Sequence, residues 1–202
     1  MLGIGAGWKR DEWLAYGFGF PDTKERLAIL RDQLEVITRM LDGGAPDQAS
    51  FEGEHASVAR AYNVPKPIQR PRMPIMVGGN GPNVTWRLAA RFADELNVDG
   101  LMPDELIDAL PTIRARCEEI GRDPASLRVS VHMWWRQPVA PGAERIDQLA
   151  AYREAGVARV QTLLRSSVDS DEPLDSFAED ARAAGATISA SPVGEAAGVA
   201  RG

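Results

Sequence analysis

Residues 74–92 constrain the fold most tightly. The apolar run Pro74-Ile-Met-Val77 passes straight into Gly78-Gly-Asn-Gly81, and Pro82 then opens a helical stretch over Asn83 to Phe92. A short buried strand, a glycine loop and a helix without a spacer form the repeating unit of a parallel α/β protein. Proline suits the first helical position because its missing N–H has no partner to lose there.

The same alternation runs along the chain. Met1-Leu-Gly-Ile-Gly-Ala-Gly-Trp8 reads as a strand entering a loop. Asp22 and Glu25 form a capping-box pattern ahead of Leu27, Leu30, Leu34, Ile37 and Leu41, whose spacings of three and four predict an amphipathic helix. Residues 45–73 lack periodicity and read as a long excursion ending in the proline-rich segment 64–71. Further strands are predicted over Glu95–Val98, Leu127–Met133 and Arg159–Leu164, and further helices over Asp104–Ile120, Ile146–Ala155 and Leu174–Ala184. Pro111 is expected to kink or split the first of these helices. Strand and helix alternate five times, which argues for a parallel sheet covered by helices and leaves open whether it is a barrel or a doubly wound sheet. Residues 1–184 read as one domain, and 185–202, mostly Gly, Ala, Ser and Val, as a disordered tail.

Composition removes several functional classes. The chain has 202 residues and a formal charge of -6, and its basic residues are dispersed, so nucleic acid is not an expected partner. No apolar stretch approaches the roughly 20 residues of a membrane span. A cytoplasmic protein is the expectation. Two histidines far apart and one cysteine offer no His/Cys metal cluster. Cys117 shares a helical register with Leu110, Ile113 and Ile120 and reads as core.

Four segments together resemble the luciferase-like, F420-dependent oxidoreductases. They are Leu2-Gly-Ile-Gly-Ala-Gly-Trp8 with Glu12-Trp-Leu-Ala-Tyr-Gly17 and Phe20-Pro21; Phe51-Glu-Gly53; Pro65-Lys-Pro-Ile-Gln-Arg-Pro71 leading into Ile75-Met-Val-Gly-Gly-Asn-Gly81; and Leu88-Ala-Ala-Arg-Phe-Ala-Asp-Glu-Leu-Asn97. The likeness spans residues 1–184 and is most specific from Lys66 to Asn97. It implies a (β/α)8 TIM-barrel fold of which this chain supplies about strands four to eight, a gene start assigned too late being the expected cause. It also implies coenzyme F420, with FMN the alternative, a small-molecule substrate and a homodimer or other homo-oligomer. The activity implied is hydride transfer between the deazaflavin and a small organic compound. An FMN-dependent monooxygenase and a non-catalytic coenzyme-binding fragment are the competing readings.

Ligand sites of such barrels lie at the C-terminal ends of the strands. Two glycine loops fall there. Gly78, Gly79, Asn80 and Gly81 let backbone approach a ligand and precede a helix N-terminus suited to an anion, although a tight strand-to-helix turn would need glycine as well. By resemblance this loop contacts the coenzyme, and Gly5, Ala6 and Gly7 lie beside its ring. Trp8 is either a wall for that ring or an ordinary packed aromatic. Spacing of the third glycine rules out a dinucleotide fingerprint at Gly3, Gly5 and Gly7. On the strand from Leu127, Val129, Val131 and Met133 are expected to face the helices, leaving Ser130, His132 and Trp134 inward. His132 is the acid–base candidate, against the plainer role of a hydrogen-bonded core histidine.

Overall fold

A computed structural model of the chain describes residues 1–133 and 140–187. Five strands form one parallel sheet: β1 (Leu2–Ile4), β4 (Ile75–Gly78), β5 (Glu95–Asp99), β6 (Arg128–Met133) and β7 (Arg159–Thr162) lie side by side in that order. The sheet is not closed. β1 pairs with β4 in the register Gly3–Met76, and Gly78, Asn97 and Ser130 align across β4, β5 and β6.

Helices α2 (Thr23–Leu41), α3 (Thr85–Phe92), α4 (Pro103–Glu118), α5 (Ala143–Glu154) and α6 (Glu172–Ala183) follow the strands. Alternation along each strand sends one set of side chains toward them. Ile75, Val77, Leu96, Val98, Val129, Val131 and Met133 are buried against Leu30, Leu34, Trp86, Leu88, Ile113 and Tyr152. At about 25 cal/mol per Å2 of apolar surface, each of these fully buried aliphatic side chains contributes roughly 1.5–3 kcal/mol before its entropic cost. The opposite face carries Gly3, Met76, Gly78, Glu95, Asn97, Ser130, His132 and Gln161. The predicted split of β6 into a helix-facing apolar set and an inward Ser130 and His132 is therefore found, while Trp134 lies outside the described residues.

Several expectations need correction. The excursion 45–73 contains an antiparallel hairpin, β2 (Gln48–Glu52) and β3 (Ser57–Tyr62), with a register shift between Ala49 and Phe51 that obscures its period of two. Asp32 on α2 holds the hairpin turn by accepting from the His55 N–H at 2.9 Å. A short helix, α1 (Arg10–Ala15), follows β1 where only a loop was expected; it buries no residue, so no apolar stripe announces it. α3 begins at Thr85 instead of Asn83, after a turn in which the Trp86 N–H bonds the Gly81 carbonyl at 3.0 Å. α4 is not split at Pro111, whose freed i−4 carbonyl belongs to Ile107, an exposed residue that water can reach. Ile120 lies beyond the end of α4 and is exposed, whereas Cys117 is buried and burial pushes its thiol pKa up. The expected 185–202 tail is described only at 185–187.

Asp94 and Glu95 have partners that their sequence context did not reveal. Asp94 pairs with Arg72 and accepts from the Ile75 N–H at 2.8 Å, fixing the start of β4 to the start of β5. Glu95 is buried and faces Arg159 at 3.2 Å and Arg128 at 3.6 Å.

Candidate functional site

The glycines divide by what a side chain at each would meet. At Gly7, φ is +73° and a Cβ would lie 2.5 Å from Trp13 Nε1, so the fold itself demands glycine. Gly79 has φ +133°, and a Cβ on Gly81 would stand 2.9 Å from Thr85 Oγ1; both are explained by the strand-to-helix turn. Gly5 and Gly78 are different. Neither has a left-handed φ, a Cβ on Gly78 meets nothing within 4 Å, and one on Gly5 reaches only the Gly78 carbonyl oxygen at ordinary contact distance, 3.4 Å. Adjacent bare backbone therefore lies at the C-terminal ends of β1 and β4, where packing does not require it.

The rest of the loops is fastened from behind. Asn80 is committed to structure, its Nδ2 donating to the Asp99 carbonyl at 2.7 Å and its Oδ1 accepting from the Asp99 N–H at 2.8 Å, which ties the β4 loop to the end of β5. The Gly79 carbonyl accepts from Trp86 Nε1 at 3.1 Å. Arg26, nine-tenths buried, donates to the Gly7 carbonyl at 3.2 Å and lies 4.2 Å over the Phe20 ring. Ala6 packs against the core, and Trp8 is 70% exposed beside Lys9, so it is not a packed aromatic.

Beneath the loops the inward face is polar. Buried Asn97 donates from Nδ2 to Ser130 Oγ at 2.8 Å and more weakly to Gln161 Oε1 at 3.5 Å. His132 lies one step higher on β6, in register with Asp99 on one side and Gln161 on the other. The structure thus brings Gly5 and Gly78 together and sets Asn97, Ser130 and His132 on the same face. Asn97 and Gln161 were not singled out from sequence. The alternation of Glu95, Asn97 and Asp99 against Leu96 and Val98 was the signal for the first; four residues of β7 are too few to have given the second. Among the described residues no group of three or more His, Cys, Asp or Glu could hold a metal ion, and no helix is long and apolar enough to cross a membrane.

A parallel sheet with one helix-covered face, glycine loops at the C-terminal strand ends and a polar inner face defines an α/β protein of the class whose ligand sites ordinarily lie at the strand ends. Residues 1–135 match the family model for luciferase-like monooxygenases. The chain belongs to the luciferase-like monooxygenase family. It is 33% identical over 124 residues to an F420-dependent glucose-6-phosphate dehydrogenase of Nakamurella multipartita, covering 60% of this chain and 34% of that protein. An uncharacterised protein of Mycobacterium tuberculosis is 30% identical over 164 residues, 79% of this chain and 50% of the other. The chain thus spans about a third to a half of these relatives. An F420-dependent secondary alcohol dehydrogenase bound to an F420-acetone adduct superposes with a TM-score of 0.72 at 16% identity, over 90% of this chain and 68% of that one. EDTA monooxygenase from Chelativorans sp. BNC1 gives 0.54 at 20% identity, over 75% and 38%. At such identities the likeness is one of fold.

Proposed function

We propose that the chain binds coenzyme F420 at its two glycine loops and serves an oxidoreductase that transfers hydride between the deazaflavin and a small organic compound. The observation that carries this reading is the bare patch at Gly5 and Gly78, two glycines with no packing reason to be glycine. A flat ring approaching backbone at van der Waals distance requires such a surface, so the residues present fit the coenzyme. The family and its F420-dependent relatives support the choice of ligand. When bound, the coenzyme would carry the hydride itself.

The chain's own residues would do the rest. Gly5, Ala6, Gly7 and Gly78 form the ring surface, Trp8 the outer wall, and Gly79, Asn80 and Gly81 the turn, in which the Gly79 N–H is held by the Asn97 carbonyl at 2.9 Å and the N–H groups of Asn80 and Gly81 are the ones offered to an anion. His132, on the inner face, is the acid–base group. On this reading the five strands are the fourth to eighth of a (β/α)8 barrel, and the working enzyme is a cytoplasmic homo-oligomer. Titration with F420 and, separately, FMN, followed by quenching of tryptophan fluorescence, tests the assignment. Saturable F420 binding is expected, weakened by about tenfold or more in Gly78→Val while the thermal melt is unchanged. A folded wild-type chain that binds neither compound sinks the reading, and preference for FMN redirects it to oxygen chemistry.

A further inference from the structure

Asn97 spends its two amide protons on Ser130 and Gln161, and its Oδ1 accepts nothing among the described residues. Gln161 is its complement: Oε1 accepts from Asn97, while Nε2 donates to nothing among the described residues. Asn97 is only 8% exposed, so its carboxamide oxygen gains from a hydrogen-bond partner at this position. Among the described residues the buried side-chain atoms with no partner are Glu95 Oε1 and Gln148 Oε1, so the free ends of Asn97 and Gln161 are not sealed from solvent. One acceptor and one donor, both uncharged, therefore belong to two carboxamides that meet at 3.5 Å across β6 on the inner face, Asn97 one strand over from the bare backbone of Gly78 and Gln161 three strands over.

We infer that Asn97 and Gln161 form a substrate subsite that takes an uncharged hydroxyl group. A hydroxyl donates one proton and accepts at its lone pairs, so it satisfies Asn97 Oδ1 and Gln161 Nε2 together. A carbonyl can only accept and leaves Asn97 Oδ1 unmet. A carboxylate or phosphate would face that oxygen with its own negative charge, and Arg128 and Arg159, on the adjoining strands β6 and β7, are turned to Glu95. The group this subsite recognises is accordingly an alcohol hydroxyl, not a carboxylate or a phosphate. In the forward direction the alcohol carbon would lose a hydride to oxidised deazaflavin and its oxygen a proton to His132, the acid–base group proposed above, giving the carbonyl compound and the reduced coenzyme.

This inference rests on the F420 reading, and the test separates the two. The F420-loaded protein is titrated with cyclohexanol, cyclohexanone and cyclohexanecarboxylate, and binding is followed by the fluorescence of the bound coenzyme. Cyclohexanol is expected to bind most tightly, and Asn97→Leu and Gln161→Leu to weaken it about tenfold each while the Kd for F420 stays at the wild-type value. Gln161→Glu, which keeps the shape but removes the donor, is expected to weaken it as well. The subsite is overturned if the alcohol binds no better than the carboxylate, if none of the three binds, or if the substitutions leave its Kd unchanged in protein that still holds F420. Failure of the wild-type chain to bind F420 at all overturns the coenzyme reading, and the subsite with it.

Discussion

At the scale of single residues, the two glycine loops separate what folding demands from what it leaves open. Gly79→Ala forces a side chain into φ +133° and against Thr85, and is expected to cost about 1–2 kcal/mol in urea denaturation. Gly78→Ala, at the fourth and last residue of β4 and facing open space, is expected to stay within about 0.5 kcal/mol of wild type. Equal losses at both positions would remove the distinction between turn glycines and a bare surface. Sequence alone marked all of these glycines equally, because φ and the distance to Thr85 or Trp13 are consequences of tertiary packing. Asn80 makes the same point: its place in a glycine loop suggested a ligand contact, and its bonds to both sides of Asp99 show what its amide does in the fold. His132 could be placed on the inward face because six residues of β6 alternate cleanly.

Among the elements, helix-to-helix joints depend on charged groups that periodicity does not reveal. Asp180 on α6 accepts from the Gly142 N–H at 2.8 Å and pairs with Arg145 at 2.6 Å, holding the start of α5. The Gly142 bond first, and the Arg145 guanidinium with it, keep this carboxyl below the usual carboxylate range against the cost of burial. A carboxyl with a depressed folded-state pKa stabilises fully above its unfolded value, and the gain is lost as pH falls through the folded one. Asp180→Asn is therefore expected to lower stability by about 1–3 kcal/mol at pH 7, with the difference closing below about pH 4. Denaturation of both proteins across pH 2–7 checks it, and a difference independent of pH would mean that packing, not charge, is what Asp180 supplies. α2, β4, α3, β5 and β6 were legible within two residues because their apolar periods are clean. The β2–β3 hairpin was not, since its bulge breaks the alternation and Asp32, far back in sequence, anchors its turn.

For the whole molecule, the open sheet is the dominant physical fact. Parallel sheets are ordinarily covered on both faces, yet here helices cover one face only, and β1 and β7 each have a single strand neighbour among the described residues. Exposed backbone N–H and C=O groups along two edges sit beside an inner face that carries a buried Glu95 with one unpartnered oxygen. Near β1, Trp8, Tyr16 and Phe18 are each at least 70% exposed. Such a surface lowers its free energy by meeting another polypeptide, and for the 202-residue chain on its own a second copy is the expected partner. Light scattering over a concentration series is expected to give a mass above that of one chain, rising with concentration. Hydrogen exchange should then find the outward amides of β1 and β7 protected only in the associated form, because association acts through those edges. A single-chain mass maintained to about 100 µM, well above the roughly micromolar affinity of a weak interface, would show that edges and inner face are tolerated in water, and the expectation of self-association would be withdrawn.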